Sequence, residues 1–405
     1  MIKKIYRILI ALIIFFIIIL IYLSTVGIKT DKFNSKIITQ VKKIEPNLEL
    51  KLSKVSATLN PFKFEINAKT IGTDLIYQDK VIKLESIKSN ISLKSVLNGT
   101  FAITGISIST KSLVIKDLFD FARLFNNDPK FYIAKQFIKK GYLVGDLRLE
   151  FDEFGNIKNN YNFNGLVRGG KISLFKKYNL NKIDFIFKIN KKDLIFNDIK
   201  LLLNNNDILI PELIITKKNK DHLVSGIINT TNTSFLKSDI NNFINDEFLK
   251  SSIKDISFSS KNNFKFKINR KFKIKNLDIK SNLNLNILKL KNSFKLKDFF
   301  PEIKKDIIFK DHKIKLEYKK NNLSIDGEGE VLLQNKKDKI NYEIYKIKNE
   351  LKFDTILNIS NNPFEINFLN YKKDKETDIK LSLKGKRKIK ENLIFDAISL
   401  KEKDN

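Results

Sequence analysis

From Leu48 onward the chain alternates apolar and polar side chains. Phe62, Phe64, Ile66 and Ala68 are interleaved with Lys63, Glu65, Asn67 and Lys69. The beat returns at Leu147/Leu149/Phe151, Ile183/Phe185/Phe187/Ile189, Leu194/Phe196 and Phe264/Phe266/Ile268. It continues at Leu283/Leu285/Ile287, Ile314/Leu316/Tyr318, Phe364/Ile366/Phe368 and Ile379/Leu381/Leu383. Successive side chains of a strand point to opposite faces, so this period gives a sheet with one apolar and one wet face, the usual state of antiparallel sheets. The expected fold is therefore mostly β, a long twisted antiparallel sheet.

Turn residues punctuate the alternation at the spacing of consecutive hairpins. The clearest are Asn98-Gly99, Gly155-Asn156, Asn204 to Asp207, Lys319 to Asn322, Lys336 to Asp338 and Asn361 to Pro363. Asp326-Gly327-Glu328-Gly329-Glu330 has the look of a cation loop but lacks calcium-loop spacing, and reads as a bulged or flexible strand segment.

Helical periodicity interrupts the strands in a few places. Phe33, Ile37, Val41 and Ile44 share one face over Asp31 to Glu45, ended by Pro46. Asp117 to Phe125 predicts a short helix. Asp128-Pro129 then offers an N-cap and an N1 proline for Phe131, Ala134, Phe137 and Ile138, with Gly141 as the closing glycine. Thr233 to Leu249 predicts a weaker helix through Phe235, Ile240, Phe243, Ile244 and Phe248. Such helices either cap an open sheet or merely pad it.

Ile8 to Ile28 contains no charge, enough helix to cross a hydrocarbon core of roughly 30 Å. A cleaved signal peptide has a shorter apolar core and a small-x-small site, and Ser24-Thr25-Val26-Gly27 supplies none. The segment is read as an uncleaved signal anchor. Lys3, Lys4 and Arg7 favour a cytoplasmic N-terminus, against the opposing Lys29, Lys32 and Lys36. The organisation is then 1–7 cytoplasmic, 8–28 spanning, 29–46 an amphipathic helix and 47–116 a β region. A helical insertion at 117–141 and an extended β region at 142–405, interrupted near 233–249, complete it.

The formal charge of +31 ordinarily points to an anionic partner. Only six cations are arginines: Arg7, Arg123, Arg148, Arg168, Arg270 and Arg387. Nucleic-acid readers favour the planar arginine fork. Heavy use of Lys, Asn, Ile and Phe also follows from AT-rich codons. No nucleic acid partner is expected, and the lysines are read as the solvated face of strands. The chain has no cysteine, and His222 and His312 each follow an Asp and are read as exposed turn residues, so neither metal nor cofactor is expected. No catalytic motif is present, and no enzymatic activity is expected.

The stretch from Phe33 to Ile115 resembles the N-terminal region of the AsmA-like family, the TamB- and YhdP-type proteins of Gram-negative envelopes. The resemblance rests on one N-terminal helix, a short amphipathic helix and the apolar rhythm of PNLELKLSKVSATLNPFKFEINAKTIGT (Pro46–Thr73). It continues through VIKLESIKSNISLKSVLNGTFAITGISISTKSLVI (Val81–Ile115), a strand, a Ser-Leu-x-Ser-Leu-Leu-x-Gly-like turn and two further strands. The family resemblance implies a taco-shaped sheet with a greasy concave face, like bridge-like lipid transfer proteins. It implies phospholipid movement from the bacterial inner membrane, with a periplasmic body, or support of outer-membrane assembly.

An apolar face on a long sheet has to be buried or to serve as a binding surface. The candidate lipid-groove lining is Phe62, Phe64, Ile66, Leu147, Leu149, Phe151, Ile183, Phe185, Phe187, Ile189, Phe264, Phe266, Ile268, Leu283, Leu285, Ile314, Leu316, Phe364, Ile366, Phe368, Leu381 and Leu383. No polar interruption is expected among them, and headgroups would stay at the lysine-rich edge. About 22–26 strands at ~4.8 Å give a groove on the order of 110–125 Å. Membrane phospholipids and other envelope proteins are the expected partners. Two alternatives stand beside this reading: an assembly factor acting by β-strand pairing, and a cationic tether for anionic envelope glycolipid.

Overall fold

Alternation over so many residues does produce antiparallel sheet, with few helices. The computed structural model describes residues 2–403 apart from 32–33, 45, 78–79, 100–101, 126–128, 153–157, 159, 175–177, 220, 237–251, 270, 272, 294–295, 375–376 and 389–392. Within them lie twenty-four strands, inside the range expected from the sequence. The chain forms two compact units, Met1–Ser173 with Lys182–Ile195, and Leu174–Asn181 with Phe196–Asn405.

The first unit begins with α1 (Ile2–Thr25). It is long and apolar enough over Lys3–Thr25 to cross a bilayer, and none of that stretch is buried in the protein. The helix ends earlier than the apolar run does. Val26 and Gly27 both donate to Tyr22 O (2.9 and 3.0 Å), Gly27 takes φ 70°, and Ile28 opens β1 (Ile28–Thr30) instead of closing the span. The elements that follow are α2 (Asn34–Ile44), β2 (Leu48–Lys51), β3 (Val55–Asn60), β4 (Glu65–Ile71), β5 (Asp74–Tyr77), β6 (Lys80–Ser92) and α3 (Leu93–Leu97). Then come β7 (Ile103–Thr110), β8 (Leu113–Val114), α4 (Ile115–Phe125), α5 (Pro129–Phe137), β9 (Ile138–Glu150) and β10 (Asn162–Leu174).

The strands β1, β3, β4, β6, β7, β9 and β10 pair in that order, all antiparallel, while β2 and β5 extend β6 and β8 adds to β9. Their apolar face is covered by helices. Ile37 of α2 and Phe121 of α4 are buried among Val55, Ala68, Leu84, Ile91 and Ile106, and Leu118 of α4 packs beside them. Here the helices cap the sheet rather than pad it. Gly141, expected to close α5, instead lies within β9 at φ 144°, where a Cβ would meet Ile115 and Gly170; the helix has already ended at Phe137.

Two expected strand segments are turns. Asn60 Oδ1 accepts the Lys63 N–H (3.2 Å), Phe64 takes φ 51°, and the last pair of the hairpin is Asn60 with Glu65. Phe62 and Phe64 therefore sit on a β3–β4 loop, 95% and 69% exposed. Likewise Phe364, Ile366 and Phe368 do not form one strand. Ile366 ends the two-residue β21, a 3-10 turn follows at Asn367–Leu369, and Phe368 is 79% exposed.

The strands β11 (Tyr178–Asn190) and β12 (Asp193–Leu203) contribute residues to both units. The second unit continues with β13 (Asn206–Lys218), β14 (Asp221–Leu236), β15 (Ile253–Ile268), β16 (Ile274–Lys291), β17 (Asp306–Lys319) and β18 (Asn322–Leu332). Next are β19 (Asp338–Ile347), β20 (Glu350–Ile359), β21 (Glu365–Ile366), β22 (Tyr371–Lys372), β23 (Asp378–Lys388) and β24 (Ile394–Lys403). From β13 to β20 each strand pairs with the next, then β20 pairs with β23 and β23 with β24. Lys320 and Asn321, both at positive φ, make the tight β17–β18 turn that the sequence predicts. Thr233 to Leu236, expected to start a helix, belong to β14. The remainder of that expected helix lies outside the described residues, as do Phe33, Asp128 and Gly155-Asn156.

Two segments close one end of the second unit's apolar face. Phe299, Phe300 and Ile303, with Phe364, Ile366 and Tyr371, pack on Ile307, Val331, Leu357, Ile359, Ile379 and Leu381. The Glu365 N–H donates to Phe299 O (3.1 Å), and the Phe300 and Phe364 rings meet edge to face at 5.4 Å. Buried polar groups latch these segments to the sheet. Gln334 accepts the Glu302 N–H (3.0 Å) and donates to Pro363 O (2.8 Å), while Asn362 donates to Lys336 O (2.6 Å) and Asp338 Oδ2 (2.8 Å). Lys373, also buried, donates to Ser360 O (2.7 Å).

Burial pushes the Asp338 carboxyl up to about 6, against the hydrogen bonds from Asn362 and the Ser360 backbone and the Lys373 charge. Its folded pKa lies above the unfolded value of 3.8, so the folded chain holds this proton more tightly. The stability it contributes is complete below the unfolded pKa and is lost as pH rises through about 6. Asp338→Asn should remove about 2 kcal/mol of the stability difference between about pH 4 and pH 7. Urea unfolding of the detergent-solubilised protein at both pH values measures it, and an unchanged difference would assign the pH dependence elsewhere.

Candidate functional site

Cross-strand register decides which side chains share a face. In the first unit Ile106 pairs with Leu149 and Ile108 with Leu147, and Leu147 pairs in turn with Phe163. On β11, Ile183 and Phe187 are buried and Phe185 and Ile189 half-buried, while Ile186 and Lys188 are exposed. The Phe163 and Phe187 rings meet at 4.9 Å, and Phe187 lies so close over Gly165 that a Cβ there would come within 2.7 Å of its Cζ. A glycine under the ring lets an aromatic side chain lie flat on a twisted sheet.

The second unit carries the longer uncovered face. Val224 pairs with Phe266, Ser260 with Leu283 and Phe258 with Leu285; Leu283 then pairs with Ile314, and Leu316 with Ile325. Ile325 continues to Ile344, and Ile344 to Phe353. Phe264, Phe266 and Ile268 are half-buried between the exposed Lys265 and Lys267, as are Ile314 and Leu316 beside Lys313 and Lys315. Outside the closed end, no second layer packs on this face among the described residues.

The expected lining thus divides into three groups. Ile66, Leu149 and Phe151 belong to the helix-capped core of the first unit, and Phe364, Ile366, Leu381 and Leu383 to the closed end of the second. Phe62, Phe64 and Phe368 are on exposed turns. The remaining residues lie on the apolar sheet faces: Leu147, Ile183, Phe185, Phe187 and Ile189 in the first unit, Phe264, Phe266, Ile268, Leu283, Leu285, Ile314 and Leu316 in the second. Leu213, Ile215 and Phe353 join them. Phe353 alternates with Leu351 and Leu357 and was detectable; Leu213 and Ile215 were hidden in the run ILIPELII, whose apolar residues do not alternate and where the register shifts between Leu209 and Leu213.

The face is not free of polar groups, contrary to expectation. Thr230 and Ser260 hydroxyls bond at 2.9 Å, and Asn262 donates to Ser260 Oγ (2.7 Å) and Ile228 O (3.1 Å). His312, expected in an exposed turn, is 1% exposed and pairs with Leu285; His222 is half-buried at the start of β14. The Glu330 carbonyl only accepts, so His312 Nε2 donates to it (2.9 Å), leaving Nδ1 to accept from the Tyr342 hydroxyl at 3.3 Å. Burial, then Asp326, pushes the Tyr342 hydroxyl up to about 12, so it keeps its proton. Gly329 and Gly327 lie beneath the His312 and Tyr342 rings, a Cβ at either coming within 2.4 Å of them. That accounts for the Asp326 to Glu330 segment as strand thinned for aromatic packing.

The opposite face of the first unit holds a polar cavity of about 840 Å³. Lys88, Ser107 and Arg148 stand in one cross-strand row along its wall, with Lys63, Lys94 and Lys158 nearby. Of its carboxylates, Glu65 accepts from Thr104 (2.9 Å) and Glu150 from Asn160. Neither Lys88 nor Arg148 has an ion-pair partner among the described residues.

Phe187→Ala should lower stability by about 3 kcal/mol, because it empties the space over Gly165. Ile186→Ala, one residue away on the wet face, should stay within about 0.5 kcal/mol. Denaturant midpoints compare them, and equal losses would refute the face assignment. The chain matches no protein-family model, no curated protein and no solved structure.

Proposed function

We propose that the protein binds phospholipid acyl chains along its apolar sheet face and conducts them away from the membrane in which α1 is anchored. In this reading it is an inner-membrane protein with a periplasmic body, of AsmA-like type, that supports the outer membrane. One observation carries the proposal. From β15 to β20 the register aligns Phe264, Phe266, Leu283, Ile314, Leu316 and Ile344 on a face that no layer covers among the described residues. Acyl chains need only an apolar lining, and such a lining lets them slide. The exposed Lys265, Lys267, Lys313 and Lys315 alternate with the lining, on the polar side of the sheet.

A photoreactive phenylalanine analogue tests this. Placed at Phe266 or Leu316 in membranes, it should capture phospholipid, identified by mass spectrometry; at Lys265 or Lys315 it should not. Equal capture at neighbouring positions would sink the proposal.

The cationic cavity of the first unit favours the second reading, contact with an anionic envelope glycolipid. A phosphorylated disaccharide resembling such a headgroup should bind the detergent-solubilised full chain. The double substitution Lys88→Ser and Arg148→Ser should weaken that binding by roughly tenfold, since two charge-assisted bonds are lost. Unchanged affinity by calorimetry would remove this reading.

A further inference from the structure

The turn that removes Phe62 and Phe64 from the sheet places Phe62 beside α1. A cleft of about 430 Å³ is lined on one side by Ile17, Leu20, Ile21, Ser24 and Thr25, and on the other by Leu59, Asn60, Pro61, Phe62 and Asn67. Two lengths agree on how far the turn reaches back along the helix. Ile17 lies eight residues before Thr25, about 12 Å at 1.5 Å per residue. On the sheet side, β1 pairs Ile28 with Ala57, and β3 then runs three residues past that pair to Asn60, about 10 Å at ~3.3 Å per residue. Only Val26 and Gly27 separate α1 from β1, and the Gly27 backbone lies against Ala57 O, where a Cβ would come within 2.3 Å. The hairpin is tied to the helix end and points back along it.

A hydrocarbon core of roughly 30 Å starting after Arg7 takes in about twenty residues, to the neighbourhood of Gly27. Ile17, Leu20 and Ile21 then lie among acyl chains, and a turn that shares a cleft with them lies at the same depth. We propose that the Asn60 to Phe64 turn is inserted into the leaflet on the side of the β-sheet body, with Phe62 and Phe64 among the acyl chains of the bilayer that α1 spans. The occupant of the cleft is a phospholipid of that leaflet. Phe62 at 95% and Phe64 at 69% exposure are two rings the protein itself does not bury. Lys63 between them is exposed. The inference rests on α1 being a membrane span, but not on lipid conduction along the sheet.

The cysteine-free chain makes the test direct, because a single introduced thiol is the only labelling site. Phe62→Cys, Phe64→Cys, Leu12→Cys within α1 and Lys111→Cys on an exposed loop carry an environment-sensitive fluorophore. Each full-length variant is reconstituted in phosphatidylcholine vesicles containing lipids brominated at shallow or deep acyl positions. The labels at 62 and 64 should shift to the blue and lose emission, most with the deep bromines. The Leu12 label should be quenched as well, and the Lys111 label should not respond. If Leu12 is quenched while 62 and 64 behave as Lys111 does, the turn is in water: this inference falls and the anchor stands. If Leu12 also fails to respond, the anchor and the inference fall together. Photocapture of lipid on β15 and β17 is read separately from either result.

Discussion

Keeping apolar side chains on one face of long, twisted strands is the constraint on which the structure depends. A slip of one residue in a strand sends every later side chain to the other face. The strands here run to 16 and 18 residues in β15 and β16, and twist and irregularity accumulate along them. The chain corrects its phase with single residues in the left-handed region, at Lys182, Asp198, Asn232, Asn276 and Asp311. Asp311 shows the effect. Before it, the side chains on the apolar face are Ile307 and Phe309; after it, they are His312, Ile314, Leu316 and Tyr318. Odd numbering becomes even across one bulge, and the face is preserved. Asn and Asp adopt that backbone at lower cost than other side-chain-bearing residues, which places them at most of these points.

This explains what the sequence could reveal. Strands whose alternation is unbroken, such as Phe264 to Ile268 and Ile314 to Tyr318, are where the sequence puts them, and so are the α2 and α4 helices and the Lys320-Asn321 turn. Alternation alone cannot tell a strand from a loop that happens to alternate. In Asn60 to Phe64, an Asx hydrogen bond and a proline override the period, and the apolar beat of Phe62 and Phe64 becomes an exposed tip. Around Phe364 to Phe368, the buried Asn362 and Gln334 fix the segment as a cover instead of a strand. His312 was unreadable for another reason. Its surroundings, Gly329, Tyr342 and the Glu330 carbonyl, come from strands β18 and β19, and no local pattern links them to Asp311-His312.

The lysines serve the face they do not occupy. Cross-strand pairs such as Lys384 with Asp354 (2.9 Å) and Lys386 with Asp396 (3.0 Å) are solvent-exposed, and water screens them. Their greater effect is on what the sheet does not do. A row of ammonium groups on the wet face, as at Lys265 and Lys267 or Lys313 and Lys315, opposes stacking of that face on another sheet. The formal charge of +31 therefore constrains association as well as ligand choice. Where cations converge without carboxylate partners among the described residues, at Lys88 and Arg148, the charge has a more local meaning.

The two ways in which apolar surface is handled bear on the proposed lipid path. Where the protein wants a dry core it builds a cover, with α2 and α4 in the first unit and the Phe300 and Phe364 segments in the second. Each cover is held by specific contacts: the Tyr77–Phe121 edge contact at 6.3 Å in one, the Gln334 and Asn362 hydrogen bonds in the other. The face around Phe266, Leu283 and Leu316 has no such cover among the described residues. Ser260 is satisfied from within the sheet by Thr230 and Asn262, and His312 by Glu330 and Tyr342, while the Thr233 hydroxyl, opposite Phe258, is buried without a hydrogen-bond partner among the described residues and out of an occupant's reach. A polar group left unsatisfied would demand a matching partner and hold one ligand in one place. With those groups paired or out of reach, an occupant of this face is held by apolar contact, which is non-directional and leaves it free to move along the strands.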